Sequence, residues 1–582
     1  MSVIKKFVTR SIILGCVALG AACRADGEAP AAAHVIAVNQ IGYLTAQPKR
    51  FTAPLSGDDA TFTIRARGGD AVLFRGAIRG HIGDFSAFRP ADTATDYIIT
   101  VEGGALAPGA SYPFAIRADL WREQFWPAAV DFMVDIRSVT GTHPSAFGGG
   151  AYRDSTYYAF EAPSLIMLYQ ASPALIDAMP RQLDWAADKA RVLAPGFVFD
   201  SKNPESDGVM YAVRRYYTGL APPAPDAPDV VKLIHWSLGY LLMHPASRDS
   251  SDEPLTPQIH SQHVEQFAYL LAAWPQLARW LPDEFRIQCR DFAFAHWESS
   301  GLLAIDPLWD PATYEEAPQP GDELGKRTTL LPYKGRHAPG HSIVPNLLLH
   351  ALALREHRAD APRYLTAAIA QTQWLIDHLD WADPRTTKGH RMSEFRTMLG
   401  LVWFLQHHPE AAPAGLREKI AAWARVAVSR SNNLRDFRRY DLISHWSLPG
   451  LNEPGNLLGF TAAALAASWV IEDPALRARL REIAFAQSDA VFGRNPLRVA
   501  GVSFPAQGFP AVERGWPIRF KLDTCARLET TRGSITASCG TEFYPYNPAG
   551  KFRHSEGWVN FNAAWNVALA YAELDRAASG VP

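Results

Sequence analysis

The chain has 582 residues and a mass of 64.1 kDa. At roughly 150 residues per domain, that leaves room for one large domain and a smaller one. Hydrophobic residues make up 48% and charged residues 20%, which excludes a disordered chain, and the formal net charge of -2 excludes a polyanion binder acting through bulk charge.

At the N-terminus, Lys5, Lys6 and Arg10 precede an apolar stretch from Ile12 to Ala22 that is too short to span a bilayer. Residues 1–23 therefore read as an export signal, and the mature chain is expected in the periplasm, on the outer membrane or secreted. Two cleavage readings compete. Leu19-Gly20-Ala21-Ala22-Cys23 is similar to a bacterial lipoprotein signal, with Cys23 carrying the lipid. Ordinary cleavage among the small residues is the other reading.

Residues 34–117 alternate in short runs such as Thr61-Phe62-Thr63-Ile64-Arg65 and Tyr97-Ile98-Ile99-Thr100-Val101, broken by Gly-rich turns. This spacing predicts a small β-sandwich. From residue 121 to 578 the period becomes helical. The expected helices are 121–136, 157–172, 181–193, 227–244, 261–280, 340–357, 361–379, 391–407, 416–430, 456–472, 475–492 and 557–576. Helices in succession without intervening strands predict a mostly α molecule, either a toroid or a stacked array.

The loops entering alternate helices are rich in chemistry-bearing residues: Gly148 to Asp154, His337 to His341, Lys388 to Glu394, and Arg553 to Glu556. In an α barrel such loops converge on one mouth. Helix capping by Asp154, Ser342, Ser393 and Ser555 is the alternative, each cap worth about 1 kcal/mol. Capping does not account for the neighbouring His, Arg and Trp residues. Cys289 lies in a helical pattern and reads as a small buried hydrophobe. Cys525 and Cys539 could join in an oxidising compartment, a link worth about 3 kcal/mol in the chain-entropy model. His260 and His263 with Glu265 have a metal-like spacing, but nothing supplies further ligands, and no metal site is expected.

Four segments resemble one family. Val38-Asn39-Gln40-Ile41-Gly42-Tyr43 with Pro48-Lys49-Arg50, and later Ser111 to Ile116, resemble the immunoglobulin-like domain that opens bacterial family 9 glycoside hydrolases, the endoglucanase and cellulase group. Phe492-Gly493-Arg494-Asn495-Pro496 resembles the family's Leu-Gly-Arg-Asn-Pro segment. Ser555-Glu556-Gly557-Trp558-Val559-Asn560-Phe561-Asn562 is similar to its Asn-Glu-Val-Ala-Ile-Asn-Trp-Asn signature. The resemblance implies an immunoglobulin-like sandwich over 34–117, an (α/α)6 barrel over 121–578, and inverting cleavage of a β-linked glycan. It implies no organic cofactor. A structural calcium is common in the family, but no loop here spells such a site.

Inverting hydrolysis needs a protonated acid on the leaving oxygen and a carboxylate that activates water, about 6.5–9.5 Å apart. The resemblance assigns the acid to Glu556. For the base, Asp154 is the remaining candidate. Where the family's Asp-Ala-Gly-Asp motif is expected, residues 149 to 158 keep only Asp154, and Tyr157 replaces the second acid if Asp154 matches the first. Glu394, beside Arg391 and Arg396, is the first substitute base. Asp207, Asp322, Glu323 and Glu453 are weaker ones. Tyr157, His341, His390, Arg391, Glu394 and Arg514 are candidate substrate contacts, Arg514 being all that remains of a His-His-Arg segment. A cationic lining would suit a uronic-acid-containing polysaccharide or oligosaccharide. Two rivals stay open: a polysaccharide lyase using Tyr157, Tyr158, His341 or His390, and a glycan-binding protein without turnover.

Overall fold

The computed structural model describes residues 36–91, 95–103, 109–136, 160–197, 207–243, 261–298, 302, 340–382, 393–438, 453–494, 533, 538–539, 553–554 and 559–578. Alternation builds its first unit. The strands are β1 (Gly42–Leu44), β2 (Arg50–Thr52), β3 (Thr61–Ala66), β4 (Val72–Arg79), β5 (Ile82–Asp84), β6 (Asp96–Glu102), β7 (Gly109–Ala110) and β8 (Phe114–Arg117). They hydrogen-bond in the order β1-β8-β6-β3-β4-β5-β2, with β7 on β6. β4 pairs with β3 along most of its length and with β5 at its end, Ile78 opposite Gly83. The expected immunoglobulin-like domain is thus built from one hydrogen-bonded sheet that curls over its own core, β4 being shared between its two halves. That core is aromatic: Tyr43 meets Phe85 edge-on at 5.0 Å and Phe51 meets Phe62 at 4.9 Å.

The helices follow: α1 (Leu120–Ile136), α2 (Glu161–Ala171), α3 (Pro173–Ala178), α4 (Trp185–Val192), α5 (Asp207–Gly219), α6 (Asp229–Met243), α7 (Ser261–Leu277), α8 (Asp283–His296), α9 (Ile343–Arg355), α10 (Ala361–His378), α11 (Ser393–His407), α12 (Leu416–Ser431), α13 (Glu453–Val470), α14 (Pro474–Val491) and α15 (Val559–Ala578). Six of them form a closed inner ring. α2 packs on α7, α7 on α9, α9 on α11, α11 on α13, α13 on α15, and α15 returns to α2. α1, α6, α8, α10, α12 and α14 back this ring, one before each inner helix. This is the (α/α)6 arrangement, with every inner helix entering from the same end.

Composition explains which helices go inside. Along α13 the run Gly459 to Trp469 carries no charge, and a residue such as Ala463 is buried on every side. α12 instead buries an apolar stripe at helical spacing, Leu416, Ile420, Trp423, Ala424 and Ala427, with Arg430 and Ser431 buried at its end, and leaves Arg417, Glu418 and Arg425 exposed. α14 opens with Asp473, whose carboxylate accepts from the N–H of Ala475 and Leu476, and with Pro474 in the first turn. α5 and α8 were not among the expected helices. In α8, buried Phe285, Cys289 and Ala293 stand four apart between charged neighbours, a weak stripe that the barrel completes.

Two of the segments that carry the family resemblance meet in space. Asn39 Nδ2 donates to Asp489 Oδ1 at 2.8 Å, while Asn39 Oδ1 accepts from the N–H of Ile41 and Gly42. Gln40 N donates to Phe492 O at 3.0 Å. Arg494, fully buried, donates from Nη2 to Asp436 Oδ2 at 2.8 Å and from Nε to Thr52 Oγ1 at 3.1 Å. Arg50 of β2 and Arg479 of α14 bind the same Asp436. Burial opposes ionisation of Asp436, but the three guanidinium groups outweigh it and hold its carboxyl below the usual range. These segments therefore join the sheet to the barrel.

Candidate active site at the mouth of the barrel

Residues toward the N-terminal ends of α2, α7 and α11 meet inside the ring. Phe160 precedes α2, Glu265 and Tyr269 lie on α7, and Phe395 and Arg396 lie on α11. In ring order α11 is opposite α2, so Arg396 reaches across the ring. Its Nη2 lies 2.6 Å from both oxygens of Glu265, and its guanidinium sits 4.4 Å from the centre of the Phe160 ring. Phe160 also meets Tyr269 edge-on at 5.8 Å and Phe395 at 6.3 Å. Together these side chains form a floor beneath the mouth. Glu265 is buried and Arg396 partly so, and the buried carboxylate depends on that guanidinium.

A further carboxyl lies close to this floor and, among the described residues, forms no ion pair. Glu161 is the first residue of α2 and is buried, and its Oε1 has no hydrogen-bond partner. Burial pushes its pKa up to about 7. The nearby backbone N–H groups of Glu161 and Phe160 and the Arg396 charge only partly offset this. Glu161 and Glu265 were not singled out by their sequence context as catalytic. The available signal was that Glu161 is the only charge in the apolar run from Ala159 to Leu168.

The floor continues around the ring. α2 is tied to α15 through Asn566, whose Nδ2 donates to Ser164 Oγ at 3.2 Å. Ser164 Oγ in turn donates to Glu161 O at 2.7 Å. Asn562, one turn nearer the mouth, donates to Gly533 O at 2.8 Å. His341 lies buried just before α9, and the adjacent Ser342 donates to Gln371 rather than capping the helix.

Of the residues singled out from sequence, His341 has a described side chain at the mouth. Glu394 is the second residue of α11 and Glu453 the first of α13, both at the mouth end, whereas Asp207 opens α5. Arg396, which stands beside Glu394 in the sequence, binds Glu265. Glu556, Asp154, Tyr157, Tyr158, His390, Arg391, Asp322, Glu323, Arg514, Cys23 and Cys525 lie outside the described residues. The chain on both sides of Glu556 is described. β10 (Arg553–His554) ends two residues before it and α15 begins three residues after it. β10 pairs with β9 (Ser538–Cys539), Arg553 opposite Cys539, and β9 packs on α13. Among the described residues, no three His, Cys, Asp or Glu side chains are placed to hold a metal ion, and no helix is long and apolar enough to cross a membrane.

No family model matches the sequence, and no curated protein matches it. Solved structures do. A single mutant of the thermostable endoglucanase from Alicyclobacillus acidocaldarius matches with a TM-score of 0.53 at 15% identity, over 92% of this chain and 99% of that one. A GH9 protein from Bacteroides ovatus matches with a TM-score of 0.50 at 14% identity, over 94% of this chain and 99% of that one. The chain is thus GH9-like in fold across nearly its whole length, at an identity that marks it as divergent.

Proposed function

We propose that this protein is an exported glycoside hydrolase that cleaves a β-linked polysaccharide or oligosaccharide with inversion. The observation that carries the reading is the fold match, over more than nine-tenths of the chain, to a protein named as an endoglucanase. In this reading Glu556, between β10 and α15, gives its proton to the leaving glycosidic oxygen. Asp154, on the segment that leads into α2, takes a proton from the water that attacks the anomeric carbon. One water is consumed, the sugar bond breaks, and the two carboxyl groups exchange protonation states. α2 and α15, the helices that follow Asp154 and Glu556 in the chain, are neighbours in the ring. Tyr157, His341, His390, Arg391, Glu394 and Arg514 are the proposed glycan contacts. Residues 1–23 direct export, with Cys23 as the lipid anchor.

The test is a panel of β-glucans and uronic-acid-containing glycans, with products followed by NMR. Wild-type protein is expected to release the inverted anomer, and Glu556→Gln to lower kcat by about 10²–10⁴. Asp154→Asn should lose turnover with KM little changed. A product absorbing in the near ultraviolet would instead mark a lyase, and tight binding without any turnover a glycan-binding protein.

A further inference from the structure

Arg396 binds with one nitrogen where a guanidinium can bind with two. Its Nη2 lies 2.6 Å from both oxygens of Glu265, and among the described residues Nη1 and Nε take no hydrogen-bond partner. A planar fork gains most when two of its nitrogens meet acceptors. A spare acceptor is close. Glu161 Oε1 is buried and unbonded, and the Phe160 ring, 4.4 Å from the guanidinium, belongs to the residue directly before it. Spare donors on α11 and a spare acceptor on α2 thus adjoin one aromatic residue. The elements packed against α2 bring few other ionisable groups. α15 has none before Tyr571. α6 carries Asp229, Lys232 and His235 in its first half, away from the mouth, and Tyr240 toward it. Asp177 of α3 is held by Arg279 at the far end of α2. α7 brings His263, Glu265 and Tyr269, and on α11 Glu394 stands two residues before Arg396. Among the described residues, the charge that acts on Glu161 is that of Arg396.

We propose that Arg396 is a pH-dependent strap inside the ring: it holds Glu265 alone while Glu161 keeps its proton, and bridges Glu161 and Glu265 once that proton leaves. The proton passes to solvent, and the guanidinium turns so that Nη1 or Nε reaches Glu161. α2 is then tied by charge to α7 and α11, where before it met α11 through Phe160. Burial opposes ionisation of Glu161, so the change falls near neutrality and not in the usual carboxylate range. The ionised carboxylate still costs burial. The strap limits that cost without removing it, so the protein depends on Arg396 most at high pH. The device needs only α2, α7 and α11, and it stands apart from the hydrolase reading.

The experiment is denaturant unfolding of the full chain at pH 5.5 and 8.5, with Arg396→Gln made in the wild-type and Glu161→Gln backgrounds. In the wild-type background the substitution should lower the folding equilibrium constant about tenfold more at pH 8.5 than at pH 5.5, because two carboxylates then depend on one guanidinium. In the Glu161→Gln background the loss should be the same at both pH values. A loss in the wild-type background that is equal at both, or larger at pH 5.5, overturns the proposal. So does a pH dependence that survives Glu161→Gln. Crystal structures of the unsubstituted chain at the two pH values keep the test open if the Arg396 variant does not fold. Arg396 is expected within hydrogen-bond distance of Glu161 at pH 8.5 and of Glu265 alone at pH 5.5. A guanidinium with the same partners at both pH values removes the strap.

Discussion

Single buried carboxyls set how this molecule responds to pH. Asp489 holds the turn at Asn39 against the barrel, and burial raises its pKa from 3.8 to about 7; the Asn39 hydrogen bond and Arg494 lower it, and Asp436 raises it. Because the folded value lies above the unfolded one, the native state keeps a proton that the unfolded chain has released between about pH 4 and 7. Stability from this group is therefore present below that window and is lost as pH rises through it. The move corresponds to at most on the order of 4 kcal/mol. Asp436 acts oppositely: its lowered value makes the arginine cluster stabilising above the ordinary Asp range and weaker in strong acid. Thermal unfolding from pH 5 to 8 should show the melting temperature falling with pH. Asp489→Asn, which preserves the contact to Asn39 without a titrating proton, should reduce that fall, the remainder coming from Glu161, whose pKa burial also raises to about 7. A wild-type curve that rises over the same range, or an Asn variant that tracks it, contradicts the assignment.

Elements meet here through glycines placed for close approach. Gly493, just after α14, has a φ of +127°, and a Cβ there would stand 2.7 Å from Val38 O and 2.9 Å from Gln40 Nε2. Gly68, in the turn after β3, also has a positive φ, +81°, but a Cβ there would meet nothing within 4 Å. Both should suffer from backbone strain on substitution by Ala, of order 1–3 kcal/mol. Gly493→Ala must in addition push the sheet from the barrel, so its melting temperature should drop several degrees further than that of Gly68→Ala. Equal drops would mean that the close approach carries no energy. The same contact shows what was legible in the sequence. The change of period near residue 121 and most of the barrel helices could be read from residue spacing, because α12 and its like keep a wet face and a dry one. The resemblance of Val38–Tyr43 and of Phe492–Pro496 to one family was legible too. That these two segments touch was not, since Asn39 and Asp489 are 450 positions apart. α8 escaped notice because its stripe is interrupted by Arg286, Arg290 and Asp291. At the mouth, loop composition drew attention to His and Arg residues. The Glu265–Arg396 pair and Glu161 lie within helical patterns, where a charged residue reads as an ordinary solvent-facing position until the ring closes around it.

At the scale of the whole molecule, the sheet completes the barrel electrically. Asp436 binds one arginine from β2 and two from the barrel side, Arg479 and Arg494, and Thr52 of β2 joins Arg494 to Leu434 O. Remove the sheet and Arg494 loses its Thr52 contact, Asp489 loses Asn39, and the Phe492 carbonyl loses the N–H of Gln40. Groups buried at about zero exposure would face water or remain dry and unpaired, and each unpaired one costs about 1–3 kcal/mol. The hydrophobic core of the barrel also extends into the sheet at Ile41 and Ala115. The two parts should therefore unfold together, as one calorimetric transition, although each has its own core. A chain beginning at residue 118 should melt at least about ten degrees below the full chain or fail to remain soluble, and Asp436→Asn in the full chain should reproduce part of that loss while leaving the sheet in place. If the shortened chain melts at the temperature of the intact one, the joint is ornamental to the barrel, and the two resembling segments must be explained by something other than stability.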